Sequence, residues 1–305
     1  MKYFITIISF LFNLIPSHSQ YSLITCTTVG NSDNTVSIYA ESRAQAPYTI
    51  KIEFSTLLGY SSNVTLYDNV AIVTVEYGRK EIIRLNKIPM MSNEFRYNYR
   101  FYPGTAFKKA PDSSFLYLLP STVGNRLRCY KVSSIADKLG INTNTEYYGM
   151  GFIYKLYDTV CAARAGTVFE VIDTVTEGEK KTTFYKSGRN KIAIEHRDGS
   201  LINYTFLAPI QLLVSQGTEI LPGQPIAVFN KESEKYYVSV STFYLDQKKL
   251  LKDDGYTSYY YLPLHFYIGE NDPGILQPGK QYDVFHPQAV IAAELSKKEK
   301  KKLGF

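Results

Sequence analysis

Three histidines lie beyond the apolar N-terminal segment, His196, His265 and His286, and they are the side chains most suited to hydrolytic chemistry. A neutral imidazole can ligate zinc, or move a proton near neutral pH. With Asp246, Asp253 or Asp254 they would supply a zinc-water site, yet their spacing matches no ligand motif. Each reads better as a satisfied or exposed histidine. Cys26, Cys129 and Cys161 show no C-x-x-C spacing, and an odd count leaves at least one thiol unpaired. Cys161, in the apolar run Val160-Cys161-Ala162-Ala163, is expected to be a buried structural thiol. There is no G-x-S-x-G elbow. The segment 246–261 gathers Tyr256, Tyr259, Tyr260 and Tyr261, which would serve equally as an exposed contact surface for glycan or protein, or as strand residues packing a sheet.

The elements that must position these residues are strands. Thr35 to Ala40, Tyr48 to Phe54 and Ala71 to Tyr77 alternate at period two, with turn residues at Gly78-Arg79. In Phe95 to Phe101 the aromatics all fall on one face. Such spacing predicts an antiparallel sandwich of immunoglobulin-like type over 20–120. A connector over 121–146 follows, with one short helix from Ser133 to Leu139 closed by Gly140. Strand patterns return at Tyr147 and continue to Ala292, and Pro287 to Lys302 is expected to hold a short helix. The 27 Tyr and 17 Phe, with no Trp, suit sheets with one wet face. The net charge of +6 is modest and partly confined to the Lys-rich tail over 293–305. That tail reads as a frayed solubilising terminus, with attraction to anionic surfaces as the rival reading. Nothing in the charge pattern suggests nucleic-acid binding.

Lys2, the apolar run Tyr3 to Ile15, Pro16 and the small residues Ser17 and Ser19 make 1–19 a signal peptide, cleaved before Gln20. No later segment is long and apolar enough to span a membrane.

Residues 158–168, Asp-Thr-Val-Cys-Ala-Ala-Arg-Ala-Gly-Thr-Val, and the succession over 192–228 from Ile-Ala-Ile-Glu-His-Arg-Asp-Gly to Leu-Pro-Gly-Gln-Pro-Ile-Ala-Val resemble the LytM/lysostaphin-type zinc peptidases of bacterial cell walls. The resemblance implies an all-β chain: an immunoglobulin-like sandwich, then a LytM-like barrel of the duplicated-hybrid-motif fold over 147–292 with an insertion near 246–261. It also implies chemistry whose residues are missing. The family's aspartate ligand falls at Gly151, its Tyr-x-His-Leu motif reads Tyr204-Thr205-Phe206-Leu207, and its His-x-His pair reads Tyr237-Val238-Ser239. No histidine lies between Gln20 and Glu195 to provide the first ligand. A degenerate groove is therefore expected at Gly151, Phe206, Tyr237 and Ser239, with Tyr204 and Arg164 nearby, no catalytic residue and no cofactor.

The leading expectation is a secreted, non-catalytic homologue, periplasmic or exterior, that binds peptidoglycan stem peptides or regulates a cell-wall hydrolase. One alternative is an active zinc endopeptidase with ligands relocated to His265 or His286. Another is a structural or adhesive surface protein.

Overall fold

The computed structural model describes residues 23–107, 109–133, 147–173, 189–252, 258–270, 272 and 274–304. The expected signal peptide, the helix expected after Ser133, and Asp253, Asp254 and Tyr256 lie outside the described residues. The fold is all-β, joined among the described residues by three short helices.

The first half forms two antiparallel sheets. One runs in the order Ile24–Gly30, Val36–Ser42, Gly78–Lys87, Tyr60–Ser62, and the other Val70–Val75, Tyr48–Leu58, Glu94–Pro103. Side chains alternate across a strand, so Ile38, Ala40, Ile83 and Leu85 of the first sheet meet Ile50, Ile52 and Phe54 of the second in one core. Phe95, Tyr97, Tyr99 and Phe101 pack against it from a single face, as their spacing predicts. Gly78-Arg79, expected as a turn, instead opens a ten-residue strand; Gly78 has φ 102°, a conformation that suits glycine.

In the second half one large sheet runs Glu219–Ile220, Gly166–Ile172, Lys191–Glu195, Ser200–Phe206, Tyr236–Asp246, Gly149–Tyr154, Arg126–Val132, Gln281–Asp283. The stretch expected as a connector thus contributes Arg126–Val132, a strand paired on both sides. A three-stranded sheet of Thr159–Cys161, Pro225–Val228 and Gln211–Leu212 packs on the large sheet through Val160, Ile226, Tyr204 and Val240. The parallel pair Leu116–Tyr117 and His265–Phe266 adds Tyr117 and Phe266 to the same core.

The two halves share packing. Phe169, Ala193 and Leu201 of the large sheet join the sandwich core. The insertion supplies helix Gln247–Lys252, where Asp246 caps the N-terminus by accepting from the Lys249 N–H at 2.7 Å. Its fully buried Leu250 packs with Leu245 and Tyr102, flanked by Ile72, Ala106 and Tyr259. Tyr259, Tyr260 and Tyr261 lie in a strand paired with Thr242 to Leu245, the sheet-packing option of the two that the sequence left open.

Two expectations about the rest of the chain need correction or completion. The basic tail does not fray: Lys297–Leu303 is a helix with a Ser296/Glu299 capping box and a left-handed Gly304 at its end. It is joined to the large sheet by the Arg197–Glu299 ion pair, which lysine counting could not reveal. All three cysteines are free thiols, and burial pushes Cys161 up to about 12 and Cys26 up to about 11.

Candidate functional site

The tight turn between Lys191–Glu195 and Ser200–Phe206 organises the polar centre of the molecule. Asp198 Oδ1 accepts from the Ser200 N–H at 3.0 Å and its hydroxyl at 2.6 Å. Gly199 sits at φ 77°, and a Cβ there would meet the Phe107 ring at 1.9 Å, so only glycine closes the turn against the neighbouring strand. The turn presents Asp198 to Arg164, whose side chain is 2% exposed and donates to Asp198 Oδ2 at 2.8 Å. Arg164 also forms a two-pronged pair with Glu294, donates to Ser200 Oγ at 3.2 Å and Tyr117 Oη at 3.4 Å, and lies 3.8 Å over the Phe115 ring. Burial alone would lower the Arg164 pKa, but Glu294, Tyr117 and Asp198 more than offset it and keep the guanidinium charged. Burial likewise pushes Asp198 up, and Arg164 with the Ser200 hydrogen bonds brings it below the usual carboxylate range.

His196 stands beside this cluster, 3% exposed. Its Nδ1 is 2.7 Å from the Ala165 carbonyl, which can only accept, so Nδ1 carries the proton and Nε2 is a bare acceptor. Nε2 is closed to solvent and has no hydrogen-bond partner among the described residues. Burial first, then the Arg164 charge, lower the His196 pKa to about 3. Burial raises the pKa of neighbouring Glu195, although the Thr105 N–H donates to its Oε1 at 3.1 Å.

These residues border a cleft of about 420 Å³ at the seam of the two halves, walled by Glu195, His196, Arg197, Glu219, Gln224 and Glu299 among others. Arg197 closes one rim, donating to Glu299 Oε1 at 2.5 Å and the Glu294 carbonyl at 2.8 Å. The cleft was not legible in the sequence, because its carboxylates come from positions 195, 219 and 299 with no motif linking them. The Asp198-Gly199 turn was the one local signal.

The expected groove residues divide between two faces of the large sheet. Directly paired residues share a face. Gly151 pairs with Ser239, and Ser239 with Thr205, which puts Gly151, Ser239 and Tyr237 together. Phe206 pairs with Val238, as does Phe152, on the opposite face, inside the core, where Phe206 is 2% exposed. Tyr204 lies on the Phe206 face, fully buried, its Oη accepting from the Ala163 N–H at 2.8 Å. Arg164 belongs to the turn cluster described above. On the outer face the Tyr130 ring lies across Gly151, where a Cβ would meet it at 2.0 Å, and stacks edge-on against Tyr237 at 5.4 Å.

Among the described residues no group of three or more His, Cys, Asp or Glu side chains could hold a metal. His286 Nε2 is 3.1 Å from the Leu119 carbonyl and its ring packs against Gly223. His265 sits in the short strand paired with Leu116.

No family model and no curated relative matches the chain. Among solved structures the chain is similar to Helicobacter pylori Csd3 from its orthorhombic crystal, at 14% identity and a TM-score of 0.31, over 92% of this chain and 83% of that one. The functional reading therefore rests on the side chains themselves.

Proposed function

We propose that the protein is an exported, non-catalytic cell-wall module, a LytM-like domain behind an immunoglobulin-like sandwich, that binds peptidoglycan stem peptides or regulates a wall hydrolase. The observation that supports this most is the packing at Phe206. A zinc peptidase needs three ligating side chains and a histidine acting on the metal-bound water. The residue standing for that histidine is a phenylalanine packed with Phe152 and Val238, both fully buried. Sliding the His-x-His pair by one residue, so that it shares the face of Phe206, places it on Val238 and Val240, which are aliphatic and fully buried. Either alignment leaves a wall without imidazole or carboxylate. Such a scaffold can hold a peptide but cannot generate a zinc-bound hydroxide.

The test is co-sedimentation of the full exported chain with purified peptidoglycan sacculi, with elemental mass spectrometry after exposure to buffered zinc. Saturable sedimentation without stoichiometric zinc is the expected result. One tightly held zinc per chain, lost with peptidase activity in His265→Ala or His286→Ala, overturns the proposal. Absence of sacculus binding together with absence of hydrolase binding in pull-downs overturns it as well.

A further inference from the structure

The end of the sandwich remote from the second half carries an apolar tip that no core cluster uses. Leu58, Ile88, Met90 and Met91 are all exposed there, Met90 fully and Leu58 and Met91 by more than half. The tip is braced. Gly59 turns the chain at φ 65°, and a Cβ there would meet the Ser92 carbonyl oxygen at 2.2 Å, so the loop over 88–93 can press against this bend only at a glycine. The Gly59 carbonyl accepts from the Ile88 N–H at 2.8 Å and from the Asn93 side-chain amide. Behind the loop the Tyr60 and Phe95 rings meet edge-on at 5.5 Å. Met90 is held at φ 61°, a left-handed conformation uncommon for a residue with a Cβ. Holding two methionines in water this way adds nothing to either core, and strained, exposed apolar groups of this kind mark interaction sites.

We infer that this tip inserts into the apolar layer of a lipid bilayer. Its place in the fold suits that role. Tyr48, at the start of its strand, packs on Phe169 of the second half, and Leu58 closes the same strand roughly 30 Å away. Ile88 and Met91 donate their N–H groups within the tip and Pro89 has none, so few backbone donors would enter hydrocarbon unpaired. Unbranched methionines adapt to a fluid surface, whereas a protein pocket draws specificity from placed polar groups, which these four side chains lack. A second copy is disfavoured by size: the four side chains expose on the order of a few hundred Å², against about 800 Å² per partner in a stable dimer. Charge is not the driving force. At the base of the tip Glu94 and Arg96 pair at 3.1 Å, and Lys87 adds one positive charge.

The test is sedimentation of the full exported chain with vesicles of pure phosphatidylcholine, and of phosphatidylcholine mixed with phosphatidylglycerol. Binding to both, persisting in high salt, is the expected result. Met90→Asp and Met91→Asp, at exposed positions, should each weaken it about tenfold without moving the unfolding midpoint. The chain has no Trp, so Met91→Trp gives a single reporter whose emission should shift to the blue on phosphatidylcholine vesicles. Absence of binding to either vesicle overturns the inference, as does full binding in both Asp variants or an unmoved Trp emission. Binding that needs phosphatidylglycerol and vanishes in salt would assign the contact to the lysine-rich tail instead. Binding to native membranes but not to their extracted lipid would assign the tip to a protein partner, and a lipid-free dimer dissolved by Met90→Asp would assign it to a second copy. Each of these three results overturns the inference too. Sacculi are free of lipid, so this inference and the wall reading stand or fall separately.

Discussion

Arg164 shares its charge among Asp198, Glu294, Ser200 and Tyr117 at a position from which water is largely excluded. Removing one member of a buried ion network strands the others, at a cost of about 3–5 kcal/mol. Arg164→Met should therefore destabilise by that order in urea unfolding, and it should release the tail, because Glu294 loses its main partner. Faster amide exchange across 294–304 than in wild type would show the second effect, and unchanged exchange there would contradict it. His196 supplies the pH dependence. Its folded pKa is depressed to about 3 by burial and by Arg164, whereas an unfolded histidine titrates near 6.5. The unfolded chain then binds a proton that the folded one refuses, so stability is full above about pH 6.5 and falls as pH drops toward 3. The slope is on the order of 1 kcal/mol per pH unit. Asp198, lowered in the fold, acts with the same sign at lower pH, and Glu195, raised, acts with the opposite sign. The comparison that isolates His196 is wild type against His196→Gln, in urea unfolding at pH 7 and pH 5: the wild type should lose more stability than the variant.

Elements carry information that single residues do not. The Tyr130 ring lies over Gly151 and the Tyr147 ring over Gly149, so two strand glycines serve as seats for aromatic side chains. Gly151→Ala should cost about 1–3 kcal/mol by overpacking, and much less in a Tyr130→Ala background. A double-mutant cycle on thermal or urea unfolding measures that difference, and additive costs would mean that the ring is not seated there. The seating also shows where sequence reading ran out. The period-two runs at Tyr48–Leu58 and Glu94–Pro103 were legible because half of each strand faces a core. Helix Gln247–Lys252 was not, since six residues with one buried leucine carry no measurable period. The expected groove was drawn from spacing alone. Spacing cannot tell which side of a strand faces in without knowing its partner, and one residue of register moves Phe206 from a groove to a core. The Arg164 cluster joins positions 164, 198 and 294, brought together only by tertiary folding.

At the scale of the whole molecule, the two halves do not behave as beads on a thread. Phe169, Ala193 and Leu201 complete the sandwich core from the second half. Leu245 and Leu250 cover Tyr102 and Ile72 on the opposite face of the sheet that carries Tyr48, and Ala106–Phe107 pairs with Leu245–Asp246. The sandwich is thus held from two directions, by a sheet face and by a helix, and each contact removes apolar side chains from water on both partners. A chain in which the sandwich were a mere spacer would lack such shared burial. Leu250→Ala should cost about 2–5 kcal/mol, as for other fully buried leucines, and if the halves are one cooperative unit the loss will appear at both ends at once. Hydrogen exchange followed by mass spectrometry resolves this. In wild type the slowest amides of Tyr48–Leu58 and of Ser200–Phe206 should share one opening free energy, and Leu250→Ala should lower both by the same amount. Protection lost from the sandwich strand while Ser200–Phe206 keeps its wild-type rates would instead make the halves independent.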